Sequence, residues 1–236
     1  DEDPAYRATL EEQAELANAI LKAYGFDERI HLIVVQSPDD LQSVSQAMAA
    51  LRQRGALNTI CTSVSFGLSN QKRETLEAVL EHLQKQAKTA LPEAGITLPK
   101  SSLLGGLNIN KDACTLCMSC VSSCPEGALL DNPDEPILSF IEKQCVQCGI
   151  CVQTCPEQAL TLNPRLQTVE QRKQRTILNE TQAFHCISCG KAFGTLKMVD
   201  LMLTKLGAHG AFAGAAMDRL KMCGDCRVVD MVKKET

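Results

Sequence analysis

Cys114 to Leu129 reads CTLCMSCVSSCPEGAL, and Cys145 to Leu160 reads CVQCGICVQTCPEQAL. The two copies are offset by 31 residues, and each carries four cysteines and a Cys-Pro step. Beyond the cysteines they share Val121/Val152, Pro125/Pro156, Glu126/Glu157, Ala128/Ala159 and Leu129/Leu160, within repeats that run over 111–130 and 142–161. Identity outside the cysteines marks two halves of one fold rather than a chance gathering of thiols.

The chain has thirteen cysteines in 236 residues; twelve fall in groups built on C-x-x-C, and Cys61 stands alone. Disulfide-built scaffolds are short and loop-rich, whereas a long N-terminal stretch here is cysteine-poor and patterned for helices. The thiols are therefore read as reduced metal ligands. No uncharged apolar run reaches the roughly 18 residues of a membrane span, and the opening DEDPAYRATLEEQ is acidic where a secretory signal is basic and then apolar. A cytoplasmic location is expected. Lys plus Arg number 24 against 28 Asp plus Glu, a net charge of −4, with two Tyr, six Phe and no Trp. Lacking a basic track for phosphates and aromatic platforms for bases, the chain is not expected to bind nucleic acid.

Thiolates are soft anionic donors, and four of them satisfy the four irons of a cubane. In C-x-x-C-x-x-C one short loop wraps three corners of a cluster, and the fourth cysteine cannot easily wrap back. In the bacterial form of this spacing the fourth cysteine ligates the other cluster. One [4Fe-4S] cluster then takes Cys114, Cys117, Cys120 and Cys155, and the second takes Cys145, Cys148, Cys151 and Cys124. The exchange accounts for the duplication, because each half completes the other's site. Pro125 and Pro156 fix φ after the crossing ligand, and Gly149 suits a crowded loop.

On these residues the chain resembles the bacterial two-cluster ferredoxin family, from about Leu107 to Pro164. That resemblance implies a compact α+β fold with pseudo-twofold symmetry and short hairpins beside two clusters close enough to exchange electrons. ILSFIEKQ (137–144) would supply one hairpin arm. More widely, RIHLIVVQSPDDL (29–41), the double cysteine run and the tail HCISCGKAFGT…KMCGDCRVVDM together resemble the C-terminal part of large bacterial 4Fe-4S proteins, the polyferredoxins associated with formate dehydrogenase and related molybdoenzyme systems. This second resemblance implies a redox enzyme of that kind as partner, and an N-terminal region similar to the end of a hydrogenase-linked iron–sulfur subunit domain. The cysteines that such a domain needs for its own cluster are missing. Only Cys61 is there, and it is read as a small buried hydrophobe.

Cys186, Cys189, Cys223 and Cys226 form C-x2-C-x33-C-x2-C. Two knuckles of this kind bring four thiolates to the corners of a tetrahedron, as zinc ribbons do, and glycine follows or sits inside each pair. The intervening loop is longer than the usual ~15–20 residues of a ribbon. Two helices expected within it, GTLKMVDLMLTKLG and GAFAGAAMDRLK, would bring its ends together. Zinc is the preferred occupant, with a third iron–sulfur cluster as its rival.

Upstream, Leu10, Ala14, Ala17, Ile20 and Leu21 predict a helix over 5–24 stopped by Gly25. RIHLIVV (29–35) and NTICTSVSF (58–66) predict strands, separated by a helix over 37–55 with Ser37 as its cap and followed by another over 69–88. That order implies a βαβ crossover. Two strands make a thin sheet, and the chain opens at Asp1, so part of a larger α/β domain is expected. Neither strand is followed by a glycine-rich phosphate loop.

The predicted fold class is α+β. It comprises a partial α/β region at 1–91, a linker at 92–110, a two-[4Fe-4S] ferredoxin-like domain at 111–164, a helical connector at 165–184 and a four-cysteine zinc-ribbon-like unit at 185–236. The predicted function is single-electron transfer to or from a redox enzyme. Two alternatives stand beside it: the electron-entry arm of a larger oxidoreductase, and a metal-stabilised interaction or assembly module whose clusters are structural or sensory. No catalytic triad or nucleotide loop is legible, so a carrier is expected rather than an independent catalyst.

Overall fold

The computed structural model describes residues 4–26, 30–35, 37, 40–53, 64, 65, 67 and 70–233. In chain order these form helices α1 (Pro4–Ala23), α2 (Leu41–Gln53) and α3 (Lys72–Lys85), strands β1 (Ile96–Thr97) and β2 (Gly105–Ile109), helix α4 (Ser119–Ser122), strands β3 (Leu129–Leu130) and β4 (Ile137–Ile141), and helix α5 (Ile150–Thr154). Strand β5 (Leu160–Leu166), helix α6 (Val169–Lys173), strands β6 (Arg175–Glu180), β7 (Ala183–His185) and β8 (Ala192–Thr195), and helices α7 (Leu196–Gly207), α8 (Ala215–Leu220) and α9 (Gly224–Lys233) follow. The chain divides into two compact units, Asp1–Gly105 with Pro164–Lys173, and Gly106–Asn163 with Gln174–Thr236.

In the first unit α1 ends as its glycine requires. Gly25 takes φ +78°, its N–H donates to the Lys22 carbonyl at 2.9 Å, and the Phe26 N–H donates to the Leu21 carbonyl at 2.9 Å. That pair of bonds is a Schellman cap, which satisfies carbonyls left over at the helix end. The cap turns Tyr24 and Phe26 into a core with Leu80, Leu98, Leu104, Leu166 and Val169. Beside this core Arg172 of α6, wholly buried, donates to both carboxylate oxygens of Glu77 on α3, at 2.7 and 3.1 Å. A buried charge needs such a partner because leaving water costs several kcal/mol per ion, roughly. Strand β1 pairs antiparallel with Arg165 and Leu166 at the end of β5.

The second unit shows the duplication in its backbone. The strand–helix–strand order β2, α4, β3 returns as β4, α5, β5. Each copy's first strand meets the other copy's second: the Asn110 N–H donates to the Ala159 carbonyl at 2.8 Å, and, 31 residues on, the Ile141 N–H donates to the Ala128 carbonyl at 2.9 Å. β3 pairs with β4 and β4 with β6, both antiparallel. The buried interior gathers Leu107, Leu116, Ala128, Leu138, Phe140 and Leu160 around Cys120 and Cys151.

Three expectations need correction. Residues 30–35 form no strand: Ile30, Leu32, Ile33, Val34 and Val35 are exposed, and the Ile30 backbone is held by the Asn18 side chain, which donates to its carbonyl at 2.8 Å and accepts from its N–H at 3.0 Å. A β-branched run becomes a strand only where a neighbour completes its ladder, and among the described residues none pairs with it. The second expected strand lies outside the described residues except for Val64 and Ser65, which carry no strand, so no βαβ crossover is formed among the described residues. The charged stretch 165–184, expected to be helical, is helical only in α6 and then turns into β6, because β4 offers an edge to pair with. Within 92–110, β1 and β2 form and Leu98 and Leu104 are buried, so its proline and glycine content does not make it a loose linker.

Candidate cluster and metal sites

Each cysteine run winds its loop through left-handed residues. Leu116 (φ 55°) and Met118 (φ 61°) alternate with the first three cysteines, and their counterparts Gln147 (φ 56°) and Gly149 (φ 77°) do the same in the second copy. A third pair follows the fourth cysteine, Gly127 at φ 60° and Gln158 at φ 49°. L-residues take this conformation at a cost of about 1–2 kcal/mol each. Among the described residues, every non-glycine residue with positive φ lies in these loops. Left-handed residues set in a loop can turn successive N–H groups to one side, a concavity suited to anions, and the Gln147 N–H does reach Cys145 Sγ, at 3.4 Å.

The loops and strands sort the eight thiols into two groups. One cavity is lined by Cys114, Cys117, Cys120 and Cys155; the other by Cys124, Cys145, Cys148 and Cys151. Each group thus draws three cysteines from one repeat and the fourth from the other. The fourth cysteines are matched in their surroundings too: the Ala128 N–H donates to Cys124 Sγ and the Ala159 N–H to Cys155 Sγ, both at 3.3 Å. Each group also has one buried member, Cys120 or Cys151, and one exposed member, Cys117 or Cys148.

Crowding and burial oppose negative charge in these groups. Burial, together with the neighbouring sulfurs, pushes the Cys120 thiol up to about 12 and the Cys151 thiol up to about 11. Burial raises Cys145 as well, against N–H donors from Gln147. At Cys117 burial is outweighed by hydrogen bonds from Ser119 and Thr115, which lower it. Four thiolates in one apolar cavity need a cationic centre to hold them together, and an iron–sulfur cluster provides one.

Residues 113–160 match the 4Fe-4S dicluster domain. A second dicluster-domain match covers 144–194, overlapping the first across the second cysteine run and reaching Cys186 and Cys189. A search of curated proteins found no match to the chain. The dicluster domains carry iron–sulfur clusters and support an electron-transfer role.

The third cysteine group is also assembled. Cys186 follows β7, Cys223 precedes α9, and Cys226 lies in its first turn. The Cys186 N–H donates to the Lys191 carbonyl at 2.9 Å, Gly190 takes φ +76°, and the Ile187 N–H donates to the Lys221 carbonyl at 3.2 Å, which ties one knuckle to the other. The Sγ atoms of Cys186, Cys189, Cys223 and Cys226 all lie within 4.8 Å of one another, so the group could hold a metal ion. Burial works against a thiolate at Cys186, yet N–H groups of Cys223, Cys189 and Ser188 bring it down to about 6. At Cys226 a hydrogen bond from Ser188 favours the thiolate, but Cys189, Cys223 and Cys186 outweigh it and push the thiol up to about 12. The long loop between the pairs folds as α7 and α8, with Thr195 capping α7 by accepting from the Met198 N–H at 3.0 Å. The same Thr195 hydroxyl donates at 2.8 Å to the Thr115 carbonyl in the first cysteine loop.

Sequence reasoning named all twelve of these cysteines and missed their polar neighbours. Ser119 Oγ lies 3.4 Å from Cys117 Sγ, and Gln147 Nε2 lies 3.3 Å from Cys145 Sγ. The available signal was the positions where the repeats differ: Gln147 answers to Leu116, and Ser119 to Ile150. Cys61 lies outside the described residues. Among the described residues no helix is long and apolar enough to cross a membrane.

Proposed function

We propose that this chain is a cytoplasmic electron carrier that passes single electrons through two [4Fe-4S] clusters, one held by Cys114, Cys117, Cys120 and Cys155 and the other by Cys124, Cys145, Cys148 and Cys151. The observation that supports this most is the sorting of the eight thiols into two cavities with one crossing cysteine each. The clusters supply the one-electron chemistry; the chain's residues bind them, exclude water with Leu116, Leu138, Phe140 and Leu160, and bring one thiol of each group to the surface. An exposed edge beside a shielded interior suits electron exchange with a partner protein.

The C-terminal thiols hold zinc in this reading. Cys189 Sγ and Cys223 Sγ are 3.8 Å apart, and two ligands of a tetrahedral zinc with Zn–S of about 2.3 Å stand about 3.8 Å apart. A cubane interposes four irons and four sulfides and needs its thiolates farther from one another. The redox partner is a formate dehydrogenase or a related molybdoenzyme, a reading that rests on the wider sequence resemblance.

The test is anaerobic purification with iron, acid-labile sulfide and zinc counted per chain, followed by dithionite reduction watched by electron paramagnetic resonance. About eight irons, eight sulfides and one zinc, with two reducible clusters, are expected. About twelve irons without zinc would make the C-terminal group a third cluster site, and fewer than about eight irons would remove the two-cluster reading. Reduction of the loaded chain by formate with a formate dehydrogenase tests the partner; no reduction would remove it.

A further inference from the structure

The two cysteine groups are alike in backbone and unlike in the side chains that reach their sulfurs. Gln147 sits in the second loop with its amide between two acceptors: Nε2 donates to the Gly106 carbonyl at 2.9 Å and to Cys145 Sγ at 3.3 Å. Its backbone N–H also reaches Cys145 Sγ, at 3.4 Å. An amide NH2 has two donors, and both are used. Turning the amide over would set its oxygen against a carbonyl and a sulfur, both acceptors, so the orientation is fixed by its partners. The other end gains nothing: Gln147 Oε1 is buried without a hydrogen-bond partner among the described residues. A buried acceptor left unmatched costs stability, and the related position in the first loop holds Leu116, a buried apolar residue. An apolar side chain therefore fits this loop conformation, and the amide at position 147 is not needed to build it.

We propose that the Gln147 amide is a tuning group for the second cluster alone: by donating to Cys145 Sγ it stabilises the added negative charge of the reduced cluster and raises that cluster's potential, separating it from the first. Hydrogen bonds to ligand sulfurs are among the terms that set cluster potentials, and this one lies in a half-buried apolar setting where such a bond is strong. The first group has no donor at the matching sulfur from Leu116; its side-chain donors are the Ser119 and Thr115 hydroxyls, directed at Cys117, which is exposed to water. The two halves are thus made electronically unequal by residues 147 and 119, although their ligands are equivalent. This inference rests on the two-cluster reading above.

The experiment is a potentiometric titration of the intact, anaerobic chain followed by electron paramagnetic resonance, comparing wild type with Gln147→Met, which keeps length and removes the donor. Expected is one of two one-electron steps moving to lower potential by about tenfold in its reduction equilibrium, ~59 mV for one electron, with the other step unmoved and iron still at about eight per chain. Ser119→Ala is expected to move the other step. Full clusters with neither step moved, or both moved equally by Gln147→Met, would overturn the inference while leaving the carrier intact; a wild-type chain without two clusters would overturn the reading beneath it. Should Gln147→Met lose its clusters, the wild-type chain labelled with 15N in its glutamine side-chain amides decides the matter. Nitrogen coupling to the spin of a reduced cluster is expected, and its absence contradicts the inference.

Discussion

The two units solve the same problem, burying charge, with different partners. In the first, Glu77 is answered by Arg172, a side chain of the same chain, inside an apolar core around Tyr24, Leu80 and Leu166. In the second, the groups that become anionic are thiols, packed among the apolar Leu116, Leu138, Phe140 and Leu160 and reached by only a few neutral polar side chains such as Ser119 and Gln147. Cys120 and Cys151 are pushed up to about 12 and about 11, and among the causes of these shifts in the described residues is no protein cation, so the matching charge is expected from a bound metal centre. The first unit is therefore expected to hold on its own residues, and the second to depend on its bound centres.

That contrast breaks most readily at the metal sites. Cys223→Ser should abolish metal at the C-terminal group and unfold α8 and α9, seen as lost hydrogen-exchange protection there, because structural four-cysteine sites supply folding free energy on the order of 10 kcal/mol. Iron content should stay at about eight. Protection of the first unit should not change; if α8 and α9 remain protected without metal, their packing and not the thiols holds them.

On the other side, Glu77→Ala should destabilise the first unit by about 3–5 kcal/mol, since it leaves Arg172 buried without its partner. Metal counts should be unaffected. Urea unfolding followed in the first unit checks the size, and a cost below about 1 kcal/mol would mean that the pair is only as useful as a surface ion pair. A smaller effect is expected from Gly25→Ala. The positive φ costs about 1–2 kcal/mol for an L-residue, and the added Cβ would stand 2.8 Å from Thr89 Oγ1. Its readout is the same unfolding curve.

An effect absent at neutral pH is a pH dependence of the first unit. Burial, opposed by the charge of Arg172, pushes the Tyr24 hydroxyl up to about 12 from an ordinary value near 10. The folded form thus keeps a proton that the unfolded chain gives up. The contribution is fully present below about pH 10 and is lost as pH rises toward about 12. Tyr24→Phe should flatten that loss, and because the hydroxyl is buried without a hydrogen-bond partner among the described residues, it should cost little or no stability at neutral pH. A variant that loses stability as steeply as wild type above pH 10 would exclude Tyr24 as the cause.

What was legible in the sequence follows the same division. The cysteine groups could be read because ligand chemistry demands fixed spacings over a few residues, and Gly25 because a helix stop with positive φ is a local demand. The apolar run at 30–35 could not, since whether it becomes a strand depends on a neighbour far along the chain, and here Asn18 takes up the Ile30 backbone instead. β6 was hidden for a similar reason: its charged, helix-like composition yields to the free edge of β4. Glu77 and Arg172 are 95 residues apart, a distance over which no periodicity connects them.

The central claim is that each repeat completes the other's cluster, and counting iron in paired variants tests it directly. Cys155→Ala, Cys114→Ala and their double variant should all retain about four irons, because both residues serve one cluster, whereas Cys155→Ala combined with Cys145→Ala should retain about none. The opposite pattern, with Cys155 and Cys145 behaving as one site and Cys155 with Cys114 as two, would contradict the exchange of ligands and leave each repeat holding a cluster by itself.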